Sequence, residues 1–201
     1  MDAVRVAAIR EQLTGTGWLE AVGGFAGSLR RSVERRGAGD LLLVGTEAYE
    51  PWHLAAHLED EAAWSAVPRL APTLLRHRPP AGAPAHLGHG LRRLAEAGRG
   101  ATVLVVAPEA AGGPLLERVR DARRHGATVL ALDGAAQAPS GDLAGLAHER
   151  LVVGTAAEEP FDLAQHLVSA AAGQRPTRRS ALGRLADLAG RLAAPPPISR
   201  W

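Results

Sequence analysis

The chain has 201 residues, enough for one domain with a sizeable core and without stapling. Hydrophobic residues make up 46% but aromatic ones only 3%, so the core must be built from Leu, Val and Ala, as suits helices on a buried parallel sheet. With no Cys, disulfides, zinc ribbons and thiol nucleophiles are excluded, and a formal charge of +2, carried by Arg with no Lys, gives no clustered basic footprint for nucleic acid.

The first residues, MDAVRVAAIREQL, form no apolar run of signal-peptide length, and no stretch approaches the ~18 apolar residues of a membrane span. A cytoplasmic protein is therefore expected. Helices are predicted over 2–12 and 18–36, separated by Thr14-Gly15-Thr16-Gly17. The second carries Leu19, Val22, Phe25, Leu29 and Val33 as one apolar stripe. That stripe, with Gly23-Gly24 permitting close approach of another helix, predicts a homo-oligomer interface.

Leu41-Leu42-Leu43-Val44, closed by Gly45, reads as a buried strand, and 51–64 as a helix. The stretch 66–84 holds five prolines and predicts a loop with one helical turn around Leu74. A βα rhythm then resumes: helix 86–97, strand 101–107, helix 114–125 with proline in its first turn, strand 127–132, short helix 142–147, strand 151–153 and closing helix 160–172. The expected architecture is one α/β domain over 1–173, a parallel β-sheet flanked by helices on both faces. Residues 174–201 form an Arg-rich tail, with an amphipathic helix through Leu182, Leu185, Leu188 and Leu192 suited to a protein partner.

Three stretches carry a family likeness. TVLVVAPEAAGGPLLERVRDARRHGATVLALDG, LAGLAHERLVVG and LLLVGTEAYEPWHLAAHL resemble, in order and spacing, sugar-isomerase (SIS) domains of the phosphoheptose isomerase type. The resemblance covers roughly residues 40–170 and implies phosphate loops after the strands at 41–44 and 101–107. Where that family has a Ser/Thr-rich turn, this chain has Ala107, Pro108, Glu109, Ala110, Ala111 and Gly112. Every hydroxyl is lost, and two like charges ~4 Å apart repel by about 1 kcal/mol even in water. The first loop becomes Gly45-Thr46-Glu47-Ala48-Tyr49-Glu50, with Thr46 and Tyr49 its only hydroxyls and Glu47 and Glu50 added negative charge. Backbone amides of Gly112 and Gly113 remain for weak anion contact. Thr46, Glu47, Glu109, Gly112 and Gly113 are thus the candidate ligand residues, for a small sugar.

His53 and His57 stand at i and i+4 on one helix, a spacing that presents two imidazoles to one metal. The resemblance places a catalytic metal or proton-transfer site here, with His57 replacing the family's Glu. Asp162 and His166 on the closing helix complete a set that would suit Zn²⁺. The competing reading has the histidines solvated or packed beside Trp52 and Trp64, with His77, His86 and His89 in a solvated loop. Two functions follow as expectations. One is a binding, scaffold or regulatory SIS protein without efficient isomerase activity. The other is a metal-dependent sugar isomerase or lyase using His53, His57 as the proton-moving residue, and His166.

Overall fold

The computed structural model describes residues 17–82, 84, 88–134, 142–153 and 160–174. The expected helix over 2–12, His86, and the tail beyond Gln174 lie outside them. Five parallel strands form one sheet: β1 (Leu41–Gly45), β2 (Pro72–Leu75), β3 (Thr102–Ala107), β4 (Thr128–Gly134) and β5 (Glu149–Val153), in the order β2-β1-β3-β4-β5. The helices are α1 (Trp18–Glu34), α2 (Trp52–Trp64), α3 (Arg92–Ala95), α4 (Gly113–Arg124), α5 (Asp142–Leu146) and α6 (Pro160–Gly173).

The strand sequences explain the layering. Successive strand side chains point to opposite faces, and here both sets are aliphatic. Leu41, Leu43, Leu104, Val106, Leu130, Leu132, Leu151 and Val153 face a cluster completed by α1, α2 and α6. Leu42, Val44, Val103, Val105, Ala107, Val129 and Ala131 face the other, completed by Leu94 of α3, Leu115 and Val119 of α4, and Leu143 and Leu146 of α5. Alternation without polarity is the mark of a sheet covered on both sides.

The stripe on α1 has a different role from the one expected. Val22, Phe25, Leu29 and Val33 are all 1% exposed or less and pack inside the chain, where α6 lies against both α1 and α2. They are part of the core and are not free for an oligomer contact. Among the described residues, no atom from outside the helix lies within 4 Å of where a Cβ on Gly23 or Gly24 would stand.

Two other expectations are corrected. Residues 72–75 are not a loop with a helical turn but the edge strand β2, paired Leu41↔Pro72 through Val44↔Leu75. Proline is tolerated as the first residue of an edge strand, where its missing N–H breaks no ladder bond. The helix expected over 86–97 shrinks to Arg92–Ala95. Gly88 and Gly90 disfavour a helix there, and the Arg76 N–H donates to His89 O at 2.9 Å, prolonging the β2 edge through an Arg76↔Gly90 bridge.

The edge strand β5 is tied on both faces. Ser28 Oγ on α1 donates to Glu149 Oε2 at 2.8 Å. Arg150 donates through Nε to Asp133 Oδ2 at 2.7 Å, and Asp133 is 1% exposed.

Leu29 is fully buried between α1 and the sheet-facing cluster. Leu29→Ala should therefore cost about 2–5 kcal/mol by leaving a cavity, seen as a lower midpoint in urea denaturation. A change under about 0.5 kcal/mol, the range of surface substitutions, would show that α1 is not part of the core.

Candidate functional site

In an open parallel sheet, ligands bind beyond the strand C-termini where the connections change direction. Here that point lies between β1 and β3, because β2 is added on one side of β1 and β3 on the other. The residues that follow these strands are the two loops singled out in the sequence. Gly45 ends β1 because the chain folds straight back: a Cβ there would collide with Tyr49 O and come within 2.6 Å of Pro51 Cδ. Gly134 at the end of β4 likewise admits the Pro108 carbonyl of the neighbouring loop.

The two loops meet. Thr46, buried at 4% exposure, donates from Oγ1 to Glu109 Oε1, joining the turn after β1 to the turn after β3. The same Oγ1 accepts the Tyr49 N–H at 3.1 Å. The one hydroxyl surviving in the first loop beside Tyr49 is therefore committed on both its donor and acceptor sides. Gly112 and Gly113 stand exposed at the start of α4.

Glu47 and Glu50 are not free negative charges as expected. Arg78 reaches Glu47 at 2.6 Å and Arg76 reaches Glu50 at 2.5 Å, both from the segment that follows β2. With Thr46, Tyr49 and Leu75 they line a hollow of about 190 Å³. His77 belongs to it, half-buried, with Nε2 3.0 Å from Gly45 O, where a solvated loop histidine was expected. Arg76, His77 and Arg78 went unrecognised in the sequence because the strand that positions them is four residues long and sits among prolines.

Deeper in, Tyr49 connects the first loop to α6. Gln165, 2% exposed, donates from Nε2 to Tyr49 Oη at 2.8 Å, to Phe161 O at 3.3 Å and to Asp162 Oδ1 at 3.1 Å. The last two can only accept, which fixes the amide orientation. Its Oε1 is buried without a hydrogen-bond partner, as is Asp133 Oδ1. Burial raises the Tyr49 pKa, the nearby Asp162 and Glu109 carboxylates adding to the effect, so the phenol stays protonated.

The histidines form a second cluster. His53 and His57 stack with ring centroids 4.9 Å apart, and His57 meets His166 edge-on at 4.4 Å. His166 Nδ1 and His57 Nε2 lie 3.1 Å apart and share one hydrogen bond. Burial lowers the pKa of both; His166 falls to about 4, with His57 and then His53 adding to the effect. Asp162 is not part of this group, since its carboxylate serves Gln165. Among the described residues, no three His, Asp or Glu side chains converge to hold a metal ion. Of the four residues expected to hold zinc, His53, His57 and His166 lie side by side and Asp162 stands apart. Trp52 and Trp64 are 65% and 78% exposed.

No family model matches the sequence, and neither does any curated protein. Solved structures do match. A Salmonella typhimurium LT2 protein named as sugar-binding aligns with 94% of this chain and 52% of its own, at 18% identity and a TM-score of 0.55. A Silicibacter pomeroyi DSS-3 protein named as a phosphosugar isomerase aligns with 90% of this chain and 51% of its own, at 15% identity and a TM-score of 0.52. The sugar isomerase domain of the RpiR transcription factor from Sphaerobacter thermophilus gives 16% identity and a TM-score of 0.51, covering 82% of this chain and 85% of that one. The chain has the SIS fold. It spans about half the length of the first two proteins. None of the three singles out the phosphoheptose isomerase type, and the transcription-factor domain among them gives no support to excluding nucleic acid as a partner. Among the described residues no helix is long and apolar enough to cross a membrane.

The His pair has a pH signature. Unfolded, His166 titrates near 6.5; folded, it titrates at about 4. Between these values the unfolded chain binds a proton that the folded chain refuses, so stability should fall as pH drops from 6.5 to about 4 and be level above it. Thermal melts across that range should show this slope, reduced in His166→Gln. An equal slope in both proteins would assign it to other groups.

Proposed function

We propose that this SIS-fold chain is a ligand-binding or regulatory protein of the cytoplasm that does not isomerise phosphosugars efficiently, and that its ligand is a small sugar without a phosphate. The observation that carries this reading is the Thr46–Glu109 hydrogen bond across the β1–β3 crevice. A phosphate site at this point of the fold needs hydroxyl and amide donors facing an anion at a helix N-terminus. Here the loop before α4 supplies a carboxylate instead, and the nearest hydroxyl is already bound to it. Hydroxyl groups of an uncharged sugar can donate to Glu109 and accept from Tyr49, which a phosphate oxygen beside Glu109 cannot do without repulsion. Similarity to a protein named as sugar-binding and to a transcription factor's sugar isomerase domain supports the same reading at the level of fold. Assembly into a homo-oligomer is part of the proposal, through surfaces other than the buried stripe of α1.

Calorimetric titration tests it. Sugar phosphates such as sedoheptulose 7-phosphate should give no saturable signal below millimolar concentration, and Glu109→Ser should tighten that binding. A micromolar Kd for the wild-type chain would overturn the proposal.

The alternative, a metal-dependent isomerase or lyase, is supported by the contact between His57 and His166. Neutral imidazoles can move a proton at His57 or occupy two coordination positions of a metal ion such as Zn²⁺. That alternative expects Zn²⁺ uptake that weakens below pH ~6 and is lost in His57→Ala/His166→Ala. Equal uptake by wild type and the double variant would remove it.

A further inference from the structure

The turn after β1 has space on both sides. Toward β3 lies the crevice of the Thr46–Glu109 bond. Toward β2 lies the hollow of about 190 Å³, walled by Glu47, Glu50, Arg76, His77 and Arg78. At about 30 Å³ for each water of the liquid it holds roughly six waters, on the scale of a single sugar ring. Its charges cancel, because Arg76 reaches Glu50 at 2.5 Å and Arg78 reaches Glu47 at 2.6 Å. An anion entering the hollow would meet a carboxylate, and a cation would meet a guanidinium. Like charges set against each other in this way cost a ligand affinity, so the hollow favours neither sign.

The two ion pairs are unequal. The Arg78 and Glu47 side chains are 85% and 68% exposed, and a pair so open to water contributes little. Arg76 and Glu50 are 24% and 38% exposed, and the backbone holds both. The Arg76 N–H donates to His89 O at 2.9 Å, and Glu50 O accepts the Trp52 N–H at 2.9 Å. Arg76 Nε donates to Glu50 Oε1 at 2.7 Å, and Arg76 Nη2 lies 2.5 Å from the same oxygen. Arg76 Nη1 and Glu50 Oε2 then have no hydrogen-bond partner among the described residues. One fixed pair thus offers a donor and an acceptor close together. His77 adds a second acceptor. Its Nε2 lies 3.0 Å from Gly45 O, which can only accept, so Nε2 carries the hydrogen and Nδ1 of the neutral ring accepts. A sugar hydroxyl is donor and acceptor at once, and two neighbouring hydroxyls match such a pair without a charge of their own.

We propose that the Arg76–Glu50 pair determines the specificity of the sugar site: Arg76 Nη1 donates to one hydroxyl of an uncharged monosaccharide, Glu50 Oε2 accepts from its neighbour, and sugar acids are turned away. This rests on the reading that the chain binds an uncharged sugar, and it names the residues that enforce the choice. Glu109 opposes a phosphate on the β3 side of the turn, and Glu50 opposes a carboxylate on the β2 side. Glu50 is the decisive half of the pair. While it holds Arg76, a ligand carboxylate finds no cation of its own. Without it, Arg76 is a half-buried guanidinium with its carboxylate-matching edge free, the geometry a sugar acid would seek.

Calorimetric titration of the full-length chain with matched pairs of probes tests this: D-glucose and D-glucuronate, D-galactose and D-galacturonate, D-mannose and D-mannuronate. Each pair differs only in a hydroxymethyl group replaced by a carboxylate. At least one neutral sugar should bind saturably, with its uronate at least about tenfold weaker. Glu50→Gln should invert that order, the neutral sugar losing about tenfold and the uronate gaining about tenfold. Arg76→Gln should weaken the neutral sugar about tenfold without admitting the uronate. Glu59→Gln makes the same charge change on the exposed face of α2, outside the hollow, and should alter neither. A uronate held by the wild-type chain as tightly as its neutral counterpart, or an order left unchanged by Glu50→Gln, would overturn the proposal while the sugar reading stands. Binding of none of the three neutral sugars would remove both.

Discussion

A parallel sheet with aliphatic side chains on both faces cannot leave either face in water, and this constraint shapes the whole molecule. Each buried Leu or Val contributes about 1.5–3 kcal/mol when covered and nothing when exposed, so helices must come to both sides. The chain meets this demand with few aromatic residues. Among the described residues, Phe25 is the one aromatic residue in the set of largest fully buried side chains; the others are leucines. Because α1, α2 and α6 crowd one face and α3, α4 and α5 the other, the strand ends are where polar groups can gather. The first cluster follows from that: Thr46, Tyr49, Glu109 and Gln165 meet where the helices leave the sheet's C-terminal edge open.

Legibility in the sequence followed the strength of the hydrophobic signal. LLLV and TVLVVA are apolar runs bounded by glycine or proline, and both became central strands. PTLL contains the same kind of residues but is too short, and too near other prolines, for periodicity to separate a strand from a turn. The helix expected from His86 failed because glycines at 88 and 90 gave the backbone to an edge bridge. On α1, the apolar stripe was evident in the sequence but not what it packs against: whether such a face meets the chain's own α6 or another molecule is a tertiary fact.

The candidate site was partly legible for a related reason. Residue types can be read from the sequence, but pairing cannot. That Thr46 and Glu109 would occupy the two loops followed from the family likeness; that they bond to each other depends on the chain folding back across a separation of 63 positions. Glu47 and Glu50 looked like uncompensated charge because Arg76 and Arg78 belong to a segment read as loop. The i,i+4 spacing correctly put His53 and His57 on one face of α2, and α6 then brought His166 to them. Asp162, four residues earlier in the same helix, accepts from Gln165 instead.

The two tethers of β5 have a consequence for how the sheet ends. Glu149 reaches α1 from one face and Arg150 reaches Asp133 from the other. Sliding this strand by a single residue would exchange the faces of every side chain on it. Such a slip would strip Asp133, buried with one oxygen lacking a partner among the described residues, of its ion pair with Arg150, and would turn Leu151 and Val153 out of the core. Adjacent residues of opposite charge thus act as a two-sided key that admits one alignment. An outermost strand usually tolerates fraying and shifted pairing; this one is held in place by what its neighbours on either side can neutralise.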